Sequence, residues 1–592
     1  MRDQGLKYQS GTKYLARAIF PYLLVFLLST IAFFVVYQPT LEIMSQPWET
    51  RSDAVAGYAQ ARALQGSWFG YTDTALGYPF GANYTYAFPP EHIHIFITRI
   101  LVNVLGNPFA AINYQFALSF GLCAMAFFWL AKKVIQNRAI AMIMGLAFAW
   151  LPNRFIRFEY GHISLAECFL IPIGLSVLLH HFSNMSEKPK QLNDSQRTFK
   201  RQIVFAILVG TGSTYYSFYF SLLIMSTLVL LLGTREEHRG KIEKTLKSLL
   251  LAICFMFSSL LNIVLTALQR VESEGTAVSR SPEESIFFGG SLSRLLIPWG
   301  TWLPQKLSEV VKVQEIEWTA TPLVVAIGLW VLMFQVLAPK AEPKNISRTQ
   351  EVVAGIRFFS IVSILFYSTT GLGTIFAFSV SPIFRCWNRF SIIISALSLL
   401  LVGLIINEFM KKTRGLHKQA TYVLLMAIVF STQVLPMRQS SFFSVQDKQT
   451  QADLAAYKVA AESLMNETST GCAILQFPVV RAYSSEAPNG LSPSQMYWLP
   501  LLLPDRRWSF GAPAGTSAGE FWPNAMKIGL THVFTKAREL DFCGVVVDRR
   551  GYETDQEWYR VTTRWQNLAD FKAKRISDNY FYVSLGSVSK TG

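Results

Sequence analysis

Charge is what this sequence has least of. Of its 592 residues only 16% are Asp, Glu, Lys or Arg, against 51% hydrophobic ones, and the mean hydropathy is +0.29. That leaves too little polar surface to cover a soluble multidomain protein, so the chain reads as a polytopic membrane protein. Cysteine is scarce as well: there are six, and no spacing among them resembles a zinc site. No internal repeat or low-complexity tract is evident, and the tail shows no phosphate-cradling glycine loop or metal motif. The first apolar run begins near Ala18 and continues for about 20 residues without a small-residue cleavage site. It reads as a membrane anchor with a cytoplasmic amino terminus, not as a cleaved signal.

The charges present are mostly positive, with a net of +16. They sit beside apolar spans, not along one helix face or in one tail, so anionic lipid accounts for them and nucleic acid is excluded as the partner. Six clusters stand out: Arg2/Lys7/Lys13/Arg17, Lys132/Lys133/Arg138, Lys188/Lys190/Arg197/Lys200/Arg201, Arg235/Arg239/Lys241/Lys244/Lys247, Lys340/Lys344/Arg348 and Lys411/Lys412/Arg414/Lys418. Short basic loops stay cytoplasmic because carrying their charge across the bilayer is unfavourable. Apolar runs set against these clusters predict about 11 transmembrane helices, near 18–37, 110–131, 139–152, 164–181, 203–214, 219–233, 248–268, 321–338, 352–370, 390–410 and 420–436. The stretch Ile93 to Leu105 is short and carries Arg99. As a span it would invert every later loop, so it is expected as an amphipathic helix at the outer interface.

The predicted organisation is a transmembrane unit over 1–436 with long outer loops at 38–108 and 269–319, followed by an extracytoplasmic α/β domain over 437–592. The tail alternates strand-like runs at Ala473 to Phe477, Cys543 to Val547 and Tyr580 to Leu585 with helix-like ones at Ala452 to Leu464, Ala525 to Ala537 and Gln556 to Lys572. An outside tail permits a disulfide between Cys472 and Cys543.

With sidedness set, four clusters on the outer face can carry chemistry. Asp53 precedes an apolar-periodic run, Ala54 to Leu64, that looks like a helix lying along the membrane. The carboxylate can cap that helix, or take a proton from an incoming hydroxyl. Glu159 and His162 are three apart, which suits an acid/base pair or a divalent cation site, although Gly161 between them breaks a helix. Arg280, Glu283 and Glu284 begin a later outer helix, where acidic residues also suit the macrodipole. Arg385 and Arg389 are four apart, so on one helical face they could grip a phosphate bidentately or simply snorkel to the headgroups. The aromatics Trp48, Trp68, Tyr71, Tyr78, Tyr84, Tyr86 and Trp387 fit an interfacial belt or a sugar platform equally. In the tail, Asp548, Arg549 and Arg550 end a strand as though in a recognition domain.

At these positions the chain resembles bacterial polytopic membrane glycosyltransferases of the GT-C class, in the branch with a carboxyl-terminal extracytoplasmic α/β domain. The resemblance lies in Ser52-Asp53, where the family has Gly-Asp, and in the aromatic-rich run Tyr58 to Leu64 with Gly66. It continues with Tyr78-Pro79-Phe80-Gly81, Gly161-His162 ahead of Pro172, Arg280 to Glu284, Arg385 with Arg389, and the tail's VDRRGY. It implies a transferase of the bacterial inner membrane that moves a sugar from a polyprenyl-phosphate donor to a cell-surface glycan or lipid acceptor. Asp53 inherits the role of general base, Arg385 and Arg389 suit the donor phosphate, and Glu159, His162, Arg280 and Glu283 suit the acceptor or a divalent cation. A transporter or flippase of lipid-linked glycans, or a polysaccharide polymerase, is the rival reading. A transporter would be expected to show midspan ionisable groups or a paired inverted repeat, and neither is clear here.

Overall fold

The computed structural model describes residues 2–50, 52–66, 71–84, 91–186, 192–233, 238–268, 280–298, 321–337, 348–435, 448–484, 488–554, 556–558, 560, 563 and 573–585. Among them, seven helices are long and apolar enough to cross a membrane: Arg17–Tyr37, Pro108–Val134, Arg138–Glu159, Cys168–Met185, Thr214–Leu232, Thr349–Tyr367 and Trp387–Lys412. The other four predicted spans also fall on helices, namely Leu192–Gly210, the pair His238–Phe255 and Phe257–Leu268, Leu323–Leu337 and Gly415–Val429. These are shorter, broken near Met256, or charged over their first turns. The protein is an α-helical polytopic membrane protein with a mixed α/β unit at its carboxyl end.

The bundle is organised around Pro108–Val134. Asn107 starts this helix by accepting from the Ala110 amide at 3.0 Å, with Pro108 at the first helical position, where its missing N–H costs nothing. Gly145 of the next helix faces it so closely that a Cβ there would lie 2.7 Å from the Ala124 carbonyl oxygen. Small residues permit such approach where lipid gives helices no hydrophobic reason to associate.

Three expectations change at the end of this bundle that carries the first long loop. The third span does not stop at residue 152 but turns at Pro152 and continues to Glu159. Arg154 and Arg157 therefore lie inside it, both buried. Arg154 donates from Nε to the Ala166 carbonyl at 2.7 Å, from Nη2 to Ser119 Oγ at 2.5 Å and from Nη1 to the Ala149 carbonyl. A buried guanidinium is tolerable only when so partnered. The helix Ser52–Ala63 does not lie along the membrane: Ala54, Val55, Ala56, Tyr58, Ala59, Ala61 and Ala63 are all buried. It is sandwiched between the bundle and the tail, with Tyr58 edge-on to Phe109 at 5.0 Å. The aromatics of the first loop accordingly pack inward, with Trp48 and Tyr84 essentially inaccessible; Trp68 and Tyr86 lie outside the described residues.

The amphipathic stretch is the helix His92–Leu105, with Val104 exposed on one side and Arg99 buried on the other, its guanidinium 4.8 Å from the centre of the Tyr71 ring.

The tail holds a five-stranded sheet in the order β4-β3-β5-β7-β6. Its strands are β3 (Ala473–Phe477), β4 (Arg507–Trp508), β5 (Phe542–Asp548), β6 (Lys574–Arg575) and β7 (Tyr580–Ser584), β1 (Thr72–Asp73) and β2 (Ala82–Asn83) being a small hairpin in the first loop. Strand β3 is parallel to β4 and β5, and β7 is antiparallel to β5 and β6. Cys472 and Cys543 form a disulfide with a Cα separation of 5.8 Å, within the usual range. The predicted helix from Ala525 to Ala537 is two helices, Ser517–Ile528 and Leu530–Glu539, parted at Gly529. The predicted helix Gln556 to Lys572 lies largely outside the described residues. Asp548 is not a recognition group: it is buried and clamped by Arg550, which donates to it from Nε at 2.9 Å and Nη2 at 2.6 Å, and to the hydroxyls of Tyr457 and Tyr580.

The first loop and the tail interlock. The Trp508 amide donates to the Ala75 carbonyl at 2.7 Å and the Tyr78 amide to the Trp508 carbonyl at 2.8 Å. The loop thus continues the sheet beyond β4 and covers an edge that would otherwise invite aggregation. Trp498 stacks on Phe109 at 6.3 Å and donates to the Thr50 carbonyl at 3.0 Å.

Candidate functional site

Asp53 stands in the first turn of Ser52–Ala63, and what fixes its surroundings is the turn at Gly161. That glycine has φ +77°, and a Cβ on it would come within 2.3 Å of the Ala54 amide nitrogen and 2.5 Å of the Asp53 carbonyl carbon. Only glycine allows both the left-handed backbone and the contact. Gly161→Ala is therefore expected to cost roughly 1–2 kcal/mol for the conformation and about 1–3 kcal/mol more for the overlap, measurable as a lowered melting temperature with activity falling in parallel.

This packing delivers His162, whose Nε2 lies 3.8 Å from Asp53 Oδ2. The separation is too long for a hydrogen bond. Burial, and after it the positive charges of Arg389 and Arg157, hold the His162 imidazole well below its ordinary pKa, so at neutral pH it is uncharged beside the carboxylate. The Asp53 side chain is 74% exposed, and the desolvation that the surrounding protein imposes pushes its pKa up. Arg280 and Arg389 pull the other way. A carboxylate whose pKa is raised toward the working pH is a suitable proton acceptor.

Arg389 belongs to the 3-10 turn Trp387–Phe390, which precedes the buried helix Ser391–Lys412. Its position is fixed from two sides: Arg157 Nη2 donates to Asn388 Oδ1 at 3.2 Å, and the Tyr219 hydroxyl donates to the Cys386 carbonyl at 2.6 Å. The guanidinium lies 3.9 Å over the Tyr215 ring, the residue is 8% exposed, and among the described residues its Nε has no hydrogen-bond partner. Leaving a buried charged donor unsatisfied is costly, which marks it as a group arranged for an anion.

Arg385 is placed differently. It lies in an irregular stretch before the turn, so the two arginines do not share a helical face. It pairs with Glu284 and its guanidinium is 4.8 Å from the centre of the Phe288 ring. The partner from the later outer loop is Glu284, while Glu283 is exposed and accepts from Ser281 Oγ. Arg280 is exposed but close enough to influence both Asp53 and Arg385. Glu159 ends its helix one turn before His162 and is half-buried. Among the described residues, no group of three or more His, Cys, Asp or Glu side chains comes together as a metal site. Residues 269–279 and 299–320, most of the second long loop, lie outside the described residues.

The structure adds Glu91, which sequence reasoning passed over. Burial raises its pKa, opposed by a hydrogen bond from Ser164 and by the charges of His94 and Arg389. Two carboxylates thus feel the same guanidinium. Beside Glu91, His94 Nδ1 is 2.7 Å from Glu167 Oε2, and Gln115 Nε2 donates to that oxygen at 3.0 Å. The one available signal was Glu91 standing directly before the amphipathic helix; the His94–Glu167 pair, 73 residues apart, had none.

No known family model matches the chain, and no curated protein matches it in sequence. Among solved structures it is similar to ArnT from Cupriavidus metallidurans bound to undecaprenyl phosphate, with TM-score 0.49 and 14% identity over 98% of this chain and 99% of that one. It is also similar to the Archaeoglobus fulgidus oligosaccharyltransferase in complex with zinc and sulfate, with TM-score 0.48 and 13% identity over 92% of this chain and 69% of that one. A third is the arabinofuranosyltransferase AftD from Mycobacteria, with TM-score 0.47 and 13% identity over 95% of this chain and 40% of that one.

Proposed function

We propose that this protein is a membrane glycosyltransferase of the GT-C kind, transferring a sugar from a polyprenyl-phosphate donor to a glycan or lipid acceptor at the outer face of the membrane. The observation that carries the reading is the convergence of Asp53, an uncharged His162 and the unsatisfied Arg389 at one end of the bundle. In this mechanism Asp53 takes the proton of the acceptor hydroxyl as its oxygen bonds the anomeric carbon. The bond from that carbon to the phosphate oxygen breaks, and the electron pair leaves with the phosphate. Arg389 receives the growing charge, where a preorganised donor in a water-poor site is most effective. One displacement inverts the anomeric centre. His162 orients the acceptor hydroxyl, and Arg280 screens Asp53. Arg385 serves the donor phosphate only once Glu284 gives way, so Arg389 is the first phosphate ligand of the two.

The inner membrane is the proposed location, with the carboxyl-terminal unit extracytoplasmic. The test is mass spectrometry of cell-surface glycans from a deletion strain complemented with the wild-type gene or with Asp53→Asn. A glycan feature lost on deletion, restored by the wild type and not by the variant is expected. Restoration by both would remove Asp53 from the reaction.

A further inference from the structure

One cleft in the tail has no part in that mechanism. It measures about 460 Å³ and lies between the helices Ser517–Ile528 and Leu530–Glu539. We propose that this cleft binds a neutral glycan, and that in the transferase reading, on which only this role rests, the glycan is the non-reacting part of the acceptor.

The volume falls within the usual range of small-ligand sites, and the lining narrows the chemistry. One wall offers the Phe521 ring and the aliphatic side chain of Ile528, itself 71% exposed. The apolar C–H face of a pyranose can lie against such a surface. The opposite requirement, many hydrogen bonds of both senses, is supplied by the Ser517 hydroxyl, the Asn524 amide and the His532 imidazole. Both charged groups of the lining are neutralised locally. Arg481 Nε donates to Glu520 Oε1 and Oε2 at 2.9 Å each, and Lys536 Nζ donates to Glu539 Oε2 at 2.6 Å. Among the described residues of the lining itself no cation lacks a partner, and Lys527 at its edge is engaged with Asn524 Oδ1 at 3.0 Å; an uncharged polyol needs no cation.

The cleft is also mechanically tied to the base. Glu520 holds Arg481, and the Ala514 amide donates to the Ala482 carbonyl at 2.9 Å. The next residue, Tyr483, has φ +59°, in the left-handed region that residues other than glycine rarely adopt. Its hydroxyl accepts from Gln60 Nε2 at 2.9 Å. Gln60 lies two turns beyond Asp53 on the same buried helix. The tail segment therefore runs from the floor of the cleft to the helix that presents the carboxylate, a route along which a long acceptor could be held while its end reacts.

The experiment uses the intact protein in lipid nanodiscs on an array of neutral oligosaccharides, comparing the wild type with Asn524→Trp. Position 524 is exposed, so the large side chain fills the cleft without entering a core. Binding to at least one neutral glycan is expected, weakened roughly tenfold or more by the substitution, and left intact by Asp53→Asn. Lys536→Ala, which removes one donor from the rim, is expected to weaken the same glycan less. Absence of neutral-glycan binding by the wild type, or undiminished binding by Asn524→Trp, overturns the proposal. Glycan binding that survives alongside full transfer by Asp53→Asn would instead overturn the transferase mechanism and leave the cleft standing.

Discussion

Asp53→Asn is expected to lower transfer by about 10²–10⁴-fold, the usual contribution of a positioned general base, with membrane insertion and melting temperature unchanged. The amide keeps the shape of the carboxylate and loses only its basicity. Stability should be insensitive because the side chain is largely exposed and, among the described residues, accepts no hydrogen bond. Asp53→Glu is expected to recover part of the rate, since the extra methylene displaces the oxygen but preserves the charge. The wild-type pH profile follows from the same group. The base must be ionised, and partial burial raises its pKa above the ordinary carboxylate value. Activity is therefore expected to fall on acidification while ordinary exposed carboxylates are still charged. His162, whose pKa is pushed down, adds no second limb near neutrality. A rate that stays flat down to the ordinary carboxylate pKa would contradict this assignment.

Arg389→Met is expected to lower kcat/KM by about 10²–10³-fold, comparable to losing one donor to a developing oxyanion. It should also move the acid limb. Arg389 holds the Asp53 pKa down, so its removal lets that pKa rise, and the pH of half-maximal activity shifts upward. Arg280→Ala is expected to shift the limb in the same direction with a smaller loss of rate, because Arg280 shares the influence on Asp53 and is not placed here at the phosphate. Measuring kcat/KM against pH for the three proteins separates the roles. An Arg389 variant with reduced rate and an unmoved limb would place the guanidinium away from the base.

Much of this architecture was legible in the sequence, for a physical reason. The helices follow from apolar run length, because lipid leaves a backbone no other way to satisfy its polar groups. Ala473–Phe477, bounded by Gly471 and Pro478, was recovered to the residue. Strand β4 was not, since two residues carry no periodicity. Ser52–Ala63 was recognised as a helix but misplaced: its alanines look like a weak membrane-surface face, and nothing local shows that the tail, more than 400 positions away, covers them. The same limit governs the site. Asp53, His162 and Arg389 each stood out by residue type beside an apolar span. Their meeting depends on the Gly161 contact and the Arg157–Asn388 bond, which join elements distant in the chain. The pairing of Arg385 with Glu284 could not be read from a four-residue spacing, because the segment is irregular where a helix was assumed.

The central claim is that the Asp53 carboxylate faces the outer side of the membrane, where a polyprenyl-borne sugar can reach it. Its exposure makes the position directly addressable. Asp53→Cys, introduced on a background in which Cys123, Cys168, Cys254 and Cys386 are replaced by serine, can be treated in intact cells with a membrane-impermeant maleimide. The account predicts labelling from outside without permeabilisation. Labelling only after the membrane is opened would place the carboxylate in the cytoplasm and contradict it.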